Sequence, residues 1–303
     1  MEHPTLYTVI AIYYPILAAF GIPVNLLAIA VLLRGKCGLS KCITRYLVAM
    51  AAADLLVVLV DVLLNKINNL YFPLNILFYT PVCSTRIVLL SVAMHSSLWF
   101  TVAFTFDRFV AICCQKLKPI YCTERMATVV ILTTPRGTGI TKSSFHILDT
   151  WKAFERLQRI VLPMFGFAFV CLFNALTVRH IMMANKVRKR LLGQRNAEKT
   201  IDPELENRRK SVILLFAISG SLILLWLTFV SYSFKWQLSN FNYTAIFANN
   251  MRYIVQETGI MLQRLSCCTN TCIYALTQTK FREELRKGIV YPFRIVAKFI
   301  KLW

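Results

Sequence analysis

An acid and a guanidinium lie side by side in the triplet Asp107-Arg108-Phe109, at the end of the apolar stretch 87–106. Ionisable groups in or at the edge of hydrocarbon cost roughly 2.5–3.5 kcal/mol each at its centre on insertion scales, and they tend to mark pathways or switches. Taken alone, the triplet fits a conformational switch, an arginine that anchors a helix end at the membrane boundary, or a local ion pair without functional consequence.

Two further polar side chains interrupt apolar runs, Asn25 in the first run and Asp54 in the second. A carboxylate near the middle of a membrane must be paired, protonated or bound to a cation. Asp54 is therefore either a hydrogen-bond partner of Asn25 or part of a sodium-type site. Asp61 follows seven residues later on the same helix face, just before the expected outer loop 65–81, where it could meet a ligand.

The last apolar run carries Glu257 and Arg264 one heptad apart, so both can face the interior of a helix bundle. We expect Glu257 to be a ligand contact in an outer cavity. Two structural partners are open for Arg264, namely Glu257 and Asp54.

The chain is 57% hydrophobic and only 16% charged, against roughly 25% charged residues in soluble domains. Its apolar runs are long and unbroken, which favours spanning helices over a membrane barrel. We therefore predict an all-α, multi-pass transmembrane helix bundle that forms a single domain. The expected spans are approximately 6–33, 43–64, 87–114, a partial fourth span at 124–134, then 160–178, 211–234 and 254–277, with an amphipathic cytoplasmic tail at 280–303.

The formal net charge of +21 comes from basic residues that lie between the apolar runs. This distribution sets membrane orientation, so we do not expect nucleic acid binding. The loop 34–45 holds four basic residues and no acid, which predicts a cytoplasmic loop and an extracellular N-terminus. The ten cysteines show no zinc-ligand spacing, and no phosphate loop or catalytic triad is visible, so neither a cofactor nor an enzymatic activity is expected.

The ordered set of polar residues resembles the rhodopsin-like (class A) family of G-protein-coupled receptors. In that family a first-helix Asn, a second-helix Asp and a D-R-Y triplet recur, and here Asn25, Asp54 and Asp107-Arg108-Phe109 take those positions. The segment 270–274 is similar to the N-P-x-x-Y motif, with Thr in place of Pro. The segment 95–99 further resembles an orphan subgroup related to receptors that sense aromatic amino acids.

The resemblance implies a seven-helix bundle in the plasma membrane that transmits binding of an extracellular small molecule or peptide to a heterotrimeric G protein on the cytoplasmic side. Membrane lipids are its other expected partners, and Asn242 begins a glycosylation sequon in the last outer loop. Glu204 or Glu206 is a candidate resting-state partner for Arg108. The ligand-binding candidates are Asp61, Arg86, His95, Trp226 and Glu257. The activation-switch candidates are Asn25, Asp54, Asp107, Arg108, Phe109, Asn270 and Tyr274.

The segment 123–159 departs from the family pattern. Its only apolar stretch, 126–132, is much shorter than the about 20 residues that a membrane crossing needs. No cysteine lies between residues 123 and 170, so the disulfide that the family forms with Cys83 has no partner. Either the fourth segment is half-inserted, or a deletion by splicing or a faulty gene model removed the fourth helix; we favour the deletion.

The number of membrane crossings, and so the side on which later loops lie, depends on the same segment. Six full crossings from an extracellular N-terminus would put the loop 179–210 outside, yet this loop has ten Lys or Arg against four acids, a balance typical of the cytoplasmic side. If the chain is truncated, an alternative function is possible. The truncated chain would be a non-signalling membrane protein that associates with full-length receptors and is retained in the endoplasmic reticulum.

Overall fold

The computed structural model describes residues 4–72, 79–114, 116–117, 123–133, 156–192, 203–238 and 250–300, and all regular structure in these ranges is helical. Helix α2 (Lys41–Tyr71) contains a π segment, Val58–Ile67, and helix α5 (157–192) begins with the π segment Leu157–Val161 before it continues as Leu162–Leu192. The helices in chain order are α1 (Pro4–Leu33), α2 (Lys41–Tyr71), α3 (Thr80–Cys113), α4 (Glu124–Thr133), α5 (157–192), α6 (Pro203–Leu238), α7 (Asn250–Thr277) and α8 (Thr279–Ile300).

Five of the described helices, α1, α2, α3, α5 and α6, are long and apolar enough to cross a membrane. Helix α7 is 28 residues long, which is about 42 Å at 1.5 Å per residue and exceeds the hydrocarbon thickness. It is less apolar because it contains Glu257, Arg264 and Asn270. The side chains of these three residues are buried inside the bundle. The predicted all-α, multi-pass membrane bundle is therefore confirmed.

The outer end of α2 differs from the expected loop 65–81, because the helix continues to Tyr71. A ladder of side-chain hydrogen bonds supports these extra turns. Asn69 Nδ2 donates to Asn65 Oδ1 at 3.0 Å, and Asn65 Nδ2 donates to Asp61 Oδ1 at 2.9 Å. Amide and carboxylate pairs four residues apart stabilise a helix in this way.

The buried side chains form two layers along the bundle. The layer at the end of α3 that carries the Asp107-Arg108-Phe109 triplet contains Leu32, Tyr46, Phe104, Leu215, Tyr274 and Phe281. The layer towards the other end contains Tyr14, Val58, Leu98, Phe167, Trp226 and Cys267. Since lipid tails are as apolar as leucine, these layers stabilise the bundle through close packing rather than through removal from water.

Glycines mark the closest helix approaches. A Cβ placed at Gly259 of α7 would lie 3.0 Å from Phe229 Cα on α6, which leaves no room for a side chain between these backbones. A Cβ at Gly21 of α1 would lie 2.6 Å from Cys268 Sγ on α7. Small residues at helix interfaces are the usual means of tight packing in membranes.

Helices α3 and α5 run in the same direction. His95 contacts the carbonyl of Gln158 near the start of α5, whereas the ring of Phe109, nearer the end of α3, stacks on Phe173. Residues 179–192 therefore lie at the same end of the bundle as Arg108. This direction agrees with the cytoplasmic position that the charge of the loop 179–210 predicts.

Because α3 and α5 run parallel, the end of α3 at Cys113 and the start of α5 at Leu157 lie at opposite ends of the bundle. The described part of helix α4 has 10 residues, about 15 Å at 1.5 Å per residue, which is half of a hydrocarbon layer about 30 Å thick. It packs on the first half of α2, where Arg45 Nη1 donates to Thr128 Oγ1 and Ala127 is buried in the core.

Helix α8 packs against α1 and α7 at the end of the bundle that carries the Asp107-Arg108-Phe109 triplet. The ring of Phe281 is fully buried and meets the ring of Tyr274 edge to face, with 5.8 Å between centroids. On its outer face Lys287 Nζ donates to Glu284 Oε1 at 2.7 Å, which lowers the pKa of Glu284 and raises the pKa of Lys287. Its apolar and charged faces fit a helix that lies in the membrane interface.

Candidate functional site

In the charged triplet at the end of α3, the acid and the arginine bind each other, and the acid also contacts α2. Asp107 is fully buried, and Arg108 donates to its Oδ2 through Nε at 3.1 Å and also through Nη2. Cys42 Sγ donates to Asp107 Oδ1 at 3.1 Å. The predicted pairing of Arg108 with Glu204 or Glu206 concerns side chains outside the described part of the structure.

Phe109 faces away from this pair and towards α5. Its ring stacks on Phe173 with 5.7 Å between centroids, and Phe106 contacts the same ring at 5.0 Å. The third residue of the triplet thus joins α3 to α5 through aromatic packing, which favours stacked or tilted ring pairs.

The middle of the bundle holds a buried carboxylate with partners on two helices. Asp54 is 1% exposed. Its Oδ1 accepts from Ser97 Oγ of α3 at 2.6 Å, and its Oδ2 accepts from Asn270 Nδ2 of α7 at 2.8 Å. Asp54 therefore links α2, α3 and α7 at one level.

Of the two alternatives for Asp54, the hydrogen bond with Asn25 is wrong. Asn25 Nδ2 donates to the carbonyls of Gly21 and Cys267, both at 2.9 Å, so both of its N–H groups are used by backbone oxygens. Asn25 Oδ1 is buried with no hydrogen-bond partner. Asn25 fixes α1 to the backbone of α7, and Asp54 takes its donors from the opposite side.

The donors around Asp54 are compatible with a sodium ion, which prefers oxygen ligands as hard cations do. The Asp54 carboxylate and the Ser97 hydroxyl meet here, and a carboxylate has about four lone-pair sites in all, more than the donors around Asp54 occupy. Within the described residues no group of three or more His, Cys, Asp or Glu is arranged to hold a metal. A single carboxylate suits a monovalent ion better than a multivalent one, and the sodium site stays a prediction.

An ion pair joins α2 to α7 in the outer half of the bundle. Asp61 is 2% exposed, and its Oδ2 accepts from Arg264 Nε. Arg264 Nη1 donates to Gln263 Oε1 at 3.0 Å and contacts Met94 Sδ of α3 at 3.3 Å. Asp61 and Asp54 both contact α7, as their spacing predicts.

Both expected partners of Arg264 are thus wrong. Asp54 lies deeper and is satisfied by Ser97 and Asn270. Glu257 pairs instead with Lys66, whose Nζ lies 3.0 Å from Oε2 and 5.4 Å from the centroid of the Tyr14 ring. Sequence reasoning missed Lys66 because it assigned this residue to a loop.

The remaining ligand candidates each join a pair of helices. Trp226 Nε1 donates to Ser266 Oγ at 3.0 Å, and Ser266 Oγ donates to the carbonyl of Gln263, so α6 connects to the Asp61–Arg264 pair. Arg86 Nη1 donates to the carbonyl of Leu64 on α2 at 3.3 Å.

His95 differs because both of its ring nitrogens face carbonyl oxygens. Nδ1 lies 2.7 Å from the Ser91 oxygen and Nε2 lies 3.1 Å from the Gln158 oxygen. The Ser91 hydroxyl oxygen also lies 3.4 Å from Nδ1, so the ring has polar partners on both sides. His95 thereby joins α3 to the start of α5.

Two buried hydroxyls at the cytoplasmic end of α7 have no partner. Tyr274 OH and Thr271 Oγ1 are both buried and accept or donate no hydrogen bond. An unsatisfied buried hydroxyl costs about 1–3 kcal/mol. An arrangement of the bundle that satisfied these groups would therefore gain free energy relative to this one.

A family model described as 7 transmembrane receptor (rhodopsin family) matches residues 24–274. The match covers most of the chain, from the first-helix Asn25 to the seventh-helix Tyr274. The chain therefore belongs to the rhodopsin family of seven-transmembrane receptors, as its motifs indicate. It is a receptor rather than an enzyme, and members of this family couple ligand binding to the activation of G proteins. The narrower subgroup and the truncation stay predictions.

Proposed function

We propose that an extracellular small molecule or peptide acts on the outer network of Asp61, Arg264, Lys66 and Glu257, and that the resulting shift reaches the triplet through Asp54. The observation that carries this proposal is a succession of three buried polar groups along the bundle. From one end to the other they are Asp61 with Arg264, Asp54 with Ser97 and Asn270, and Asp107 with Arg108. Buried ion pairs are weak contributors to stability and are suited to holding one of two arrangements.

The outer network favours a ligand that carries both an amine and a carboxylate. It consists of two acid–base pairs, Asp61 with Arg264 and Glu257 with Lys66. A zwitterionic ligand could exchange with either pair without leaving an uncompensated buried charge, which is the costly outcome. The resemblance of segment 95–99 to a subgroup related to aromatic-amino-acid sensors supports the same ligand class, with Arg86, His95 and Trp226 as further contacts.

We propose that the switch consists of Asn25, Asp54, Asp107, Arg108, Phe109, Asn270 and Tyr274. A sodium ion held by Asp54 and Ser97 would favour the resting arrangement. Release of Arg108 from Asp107 would free its guanidinium for the G protein on the cytoplasmic side. Such a change is a shift between two populations rather than a gradual deformation.

Signalling with named variants tests this proposal. The full chain is expressed in cells, its amount at the surface is matched between variants, and basal G-protein activation is recorded. Arg108→Ala is expected to lower basal activation, and Asp61→Asn is expected to change it by loosening the outer pair. The matched control is Arg209→Ala, an exposed arginine on α6. If Arg108→Ala and Arg209→Ala leave identical activation, the proposed switch is refuted.

We propose the plasma membrane as the location of the chain, with an extracellular N-terminus and a glycan on Asn242, which lies outside the described residues. Removal of the sugar by a glycosidase after surface labelling checks both statements. A surface-labelled chain with a complex glycan is expected. An unlabelled chain with only high-mannose sugar would instead support retention in the endoplasmic reticulum.

A second candidate function follows from the short apolar stretch of the segment 123–159. The described part of α4, Glu124–Thr133, would cover about half of a membrane crossing. We propose that a deletion shortened this part of the chain, and the alternative function is a non-signalling protein that associates with full-length receptors. The transcript sequence between the codons for residues 133 and 142 decides whether a fourth helix was lost. Co-purification with a full-length relative, together with absent basal activation, would favour the alternative.

A further inference from the structure

A groove of about 690 Å³ lies between the cytoplasmic halves of α5 and α6. Its volume falls within the roughly 300–1,000 Å³ that ligand sites occupy. Val178 and Met182 of α5 form one wall, and Phe216 of α6 contributes to the other. The groove lies apart from the outer network and from the buried switch residues.

The groove faces the membrane. Phe173 points α5 towards α3, where its ring contacts Phe106 and Phe109. Successive helix residues are rotated by about 100°, so Met182 and Lys186 lie on the side of α5 turned away from Phe173. Met182 is 64% exposed in the isolated chain, which in a bilayer means contact with lipid.

Two cations lie at the cytoplasmic end of the same groove. Arg179 and Lys186 line it, and the apolar span of α5 ends between them, at Ala184. Lys186 therefore lies just beyond the hydrocarbon, and the long side chain of Arg179 can extend to the same interface. Among the described residues, no carboxylate pairs with either cation.

We propose that this groove binds an anionic glycerophospholipid of the cytoplasmic leaflet. Arg179 and Lys186 hold its phosphate by charge-assisted hydrogen bonds, as basic side chains near anionic lipid do. An acyl chain lies along Val178, Met182 and Phe216, where the flexible methionine side chain adapts to its shape. The occupant is a membrane lipid rather than a soluble phosphate, because the apolar walls of the groove face the bilayer and only an acyl chain can lie along them.

Native mass spectrometry of the full chain in detergent tests this inference, with phosphatidylserine and phosphatidylcholine of identical acyl chains as the two probes. Each Lys or Arg near anionic lipid is expected to contribute about fivefold in affinity, so Arg179→Ala and Lys186→Ala together should reduce the preference for phosphatidylserine about thirtyfold. Arg209→Ala is the matched control, because it removes an exposed arginine of α6 that does not line the groove.

A second variant tests the acyl-chain contact without changing charge. Ala175→Trp fills the groove and should reduce binding of both lipids, whereas Met164→Trp changes an exposed residue of α5 outside the groove and should not. The inference is overturned if the double variant keeps the wild-type preference, if Arg209→Ala loses as much, or if Ala175→Trp binds phosphatidylserine as tightly as the wild type. Competition by soluble glycerophosphoserine at equal concentration would also overturn it, because the walls would then contribute nothing. These measurements record lipid binding alone and do not depend on signalling.

Discussion

Replacing Asp61 by Asn tests how much the charge of the buried Asp61–Arg264 pair stabilises the bundle. The Asn side chain has a similar size and stays polar, but it carries no charge. The change keeps the shape of the side chain and its hydrogen bond with Asn65, but it leaves the guanidinium of Arg264 buried without a counter-charge. Removing one partner of a buried pair typically costs about 3–5 kcal/mol, because the other charge is then uncompensated. At about 2–4 °C per kcal/mol for chains of this size class, the apparent Tm should fall by roughly 6 °C or more.

The assay is thermal unfolding of the purified chain in detergent, at one scan rate for all variants. Arg264→Gln should lower the apparent Tm by a similar amount. The double variant Asp61→Asn with Arg264→Gln should lose less than the sum of the two single losses, by roughly 0.5–3 kcal/mol, because the two residues interact directly. Lys287→Gln removes the exposed cation of the pair with Glu284 on α8, where the Lys287 side chain lies in solvent, and should lower the apparent Tm far less than Asp61→Asn.

Strict additivity of Asp61→Asn and Arg264→Gln would refute the reasoning, because it would mean that the two side chains do not stabilise each other. A larger effect of Lys287→Gln than of Asp61→Asn would refute it as well. The loss would then follow from charge in general and not from burial.

Further predictions concern packing, the orphan hydroxyl and the sodium site. Gly259→Ala should lower the apparent Tm by the equivalent of about 1–3 kcal/mol, since its Cβ would press on the α6 backbone. Gly220→Ala has open space around its Cβ and should be neutral or stabilising by about 0.5–1 kcal/mol. The reverse order of the two Tm changes would contradict the packing. Tyr274→Phe removes a buried hydroxyl without a partner and should raise the apparent Tm; a fall would show that this hydroxyl is satisfied in the resting receptor. Asp54→Asn should abolish any difference in apparent Tm between sodium and choline chloride, and a persisting difference would place the ion elsewhere.

The helical membrane bundle could be predicted from the sequence because long apolar runs have one stable form in lipid. Every backbone N–H and C=O must be satisfied within the segment, so composition alone fixes the helices. The spacing of seven residues also predicted that Asp54 and Asp61 lie on one face of α2, and side chains on one helix face meet the same neighbouring helix. Both indeed contact α7.

The pairing of charges could not be predicted, because it depends on which helices lie next to each other and on where each helix ends. The sequence left Glu257 and Asp54 open as partners of Arg264, and only the packing of α2 against α7 selects Asp61 instead. Lys66 was missed because the polar sequence after Leu64 resembles a loop. The ladder from Asn69 to Asp61 extends the helix through side-chain hydrogen bonds that apolar periodicity does not register.

The most direct test of the central claim is nucleotide exchange on purified heterotrimeric G proteins by the full chain reconstituted in lipid nanodiscs. The claim is that this rhodopsin-family chain activates a G protein through the Asp107-Arg108-Phe109 triplet. The account predicts that the wild type accelerates exchange on at least one G-protein class without ligand, and that Arg108→Ala removes this acceleration while Arg209→Ala keeps it. Equal exchange with wild type, Arg108→Ala and empty nanodiscs, across every G-protein class, would contradict the account and favour the non-signalling alternative.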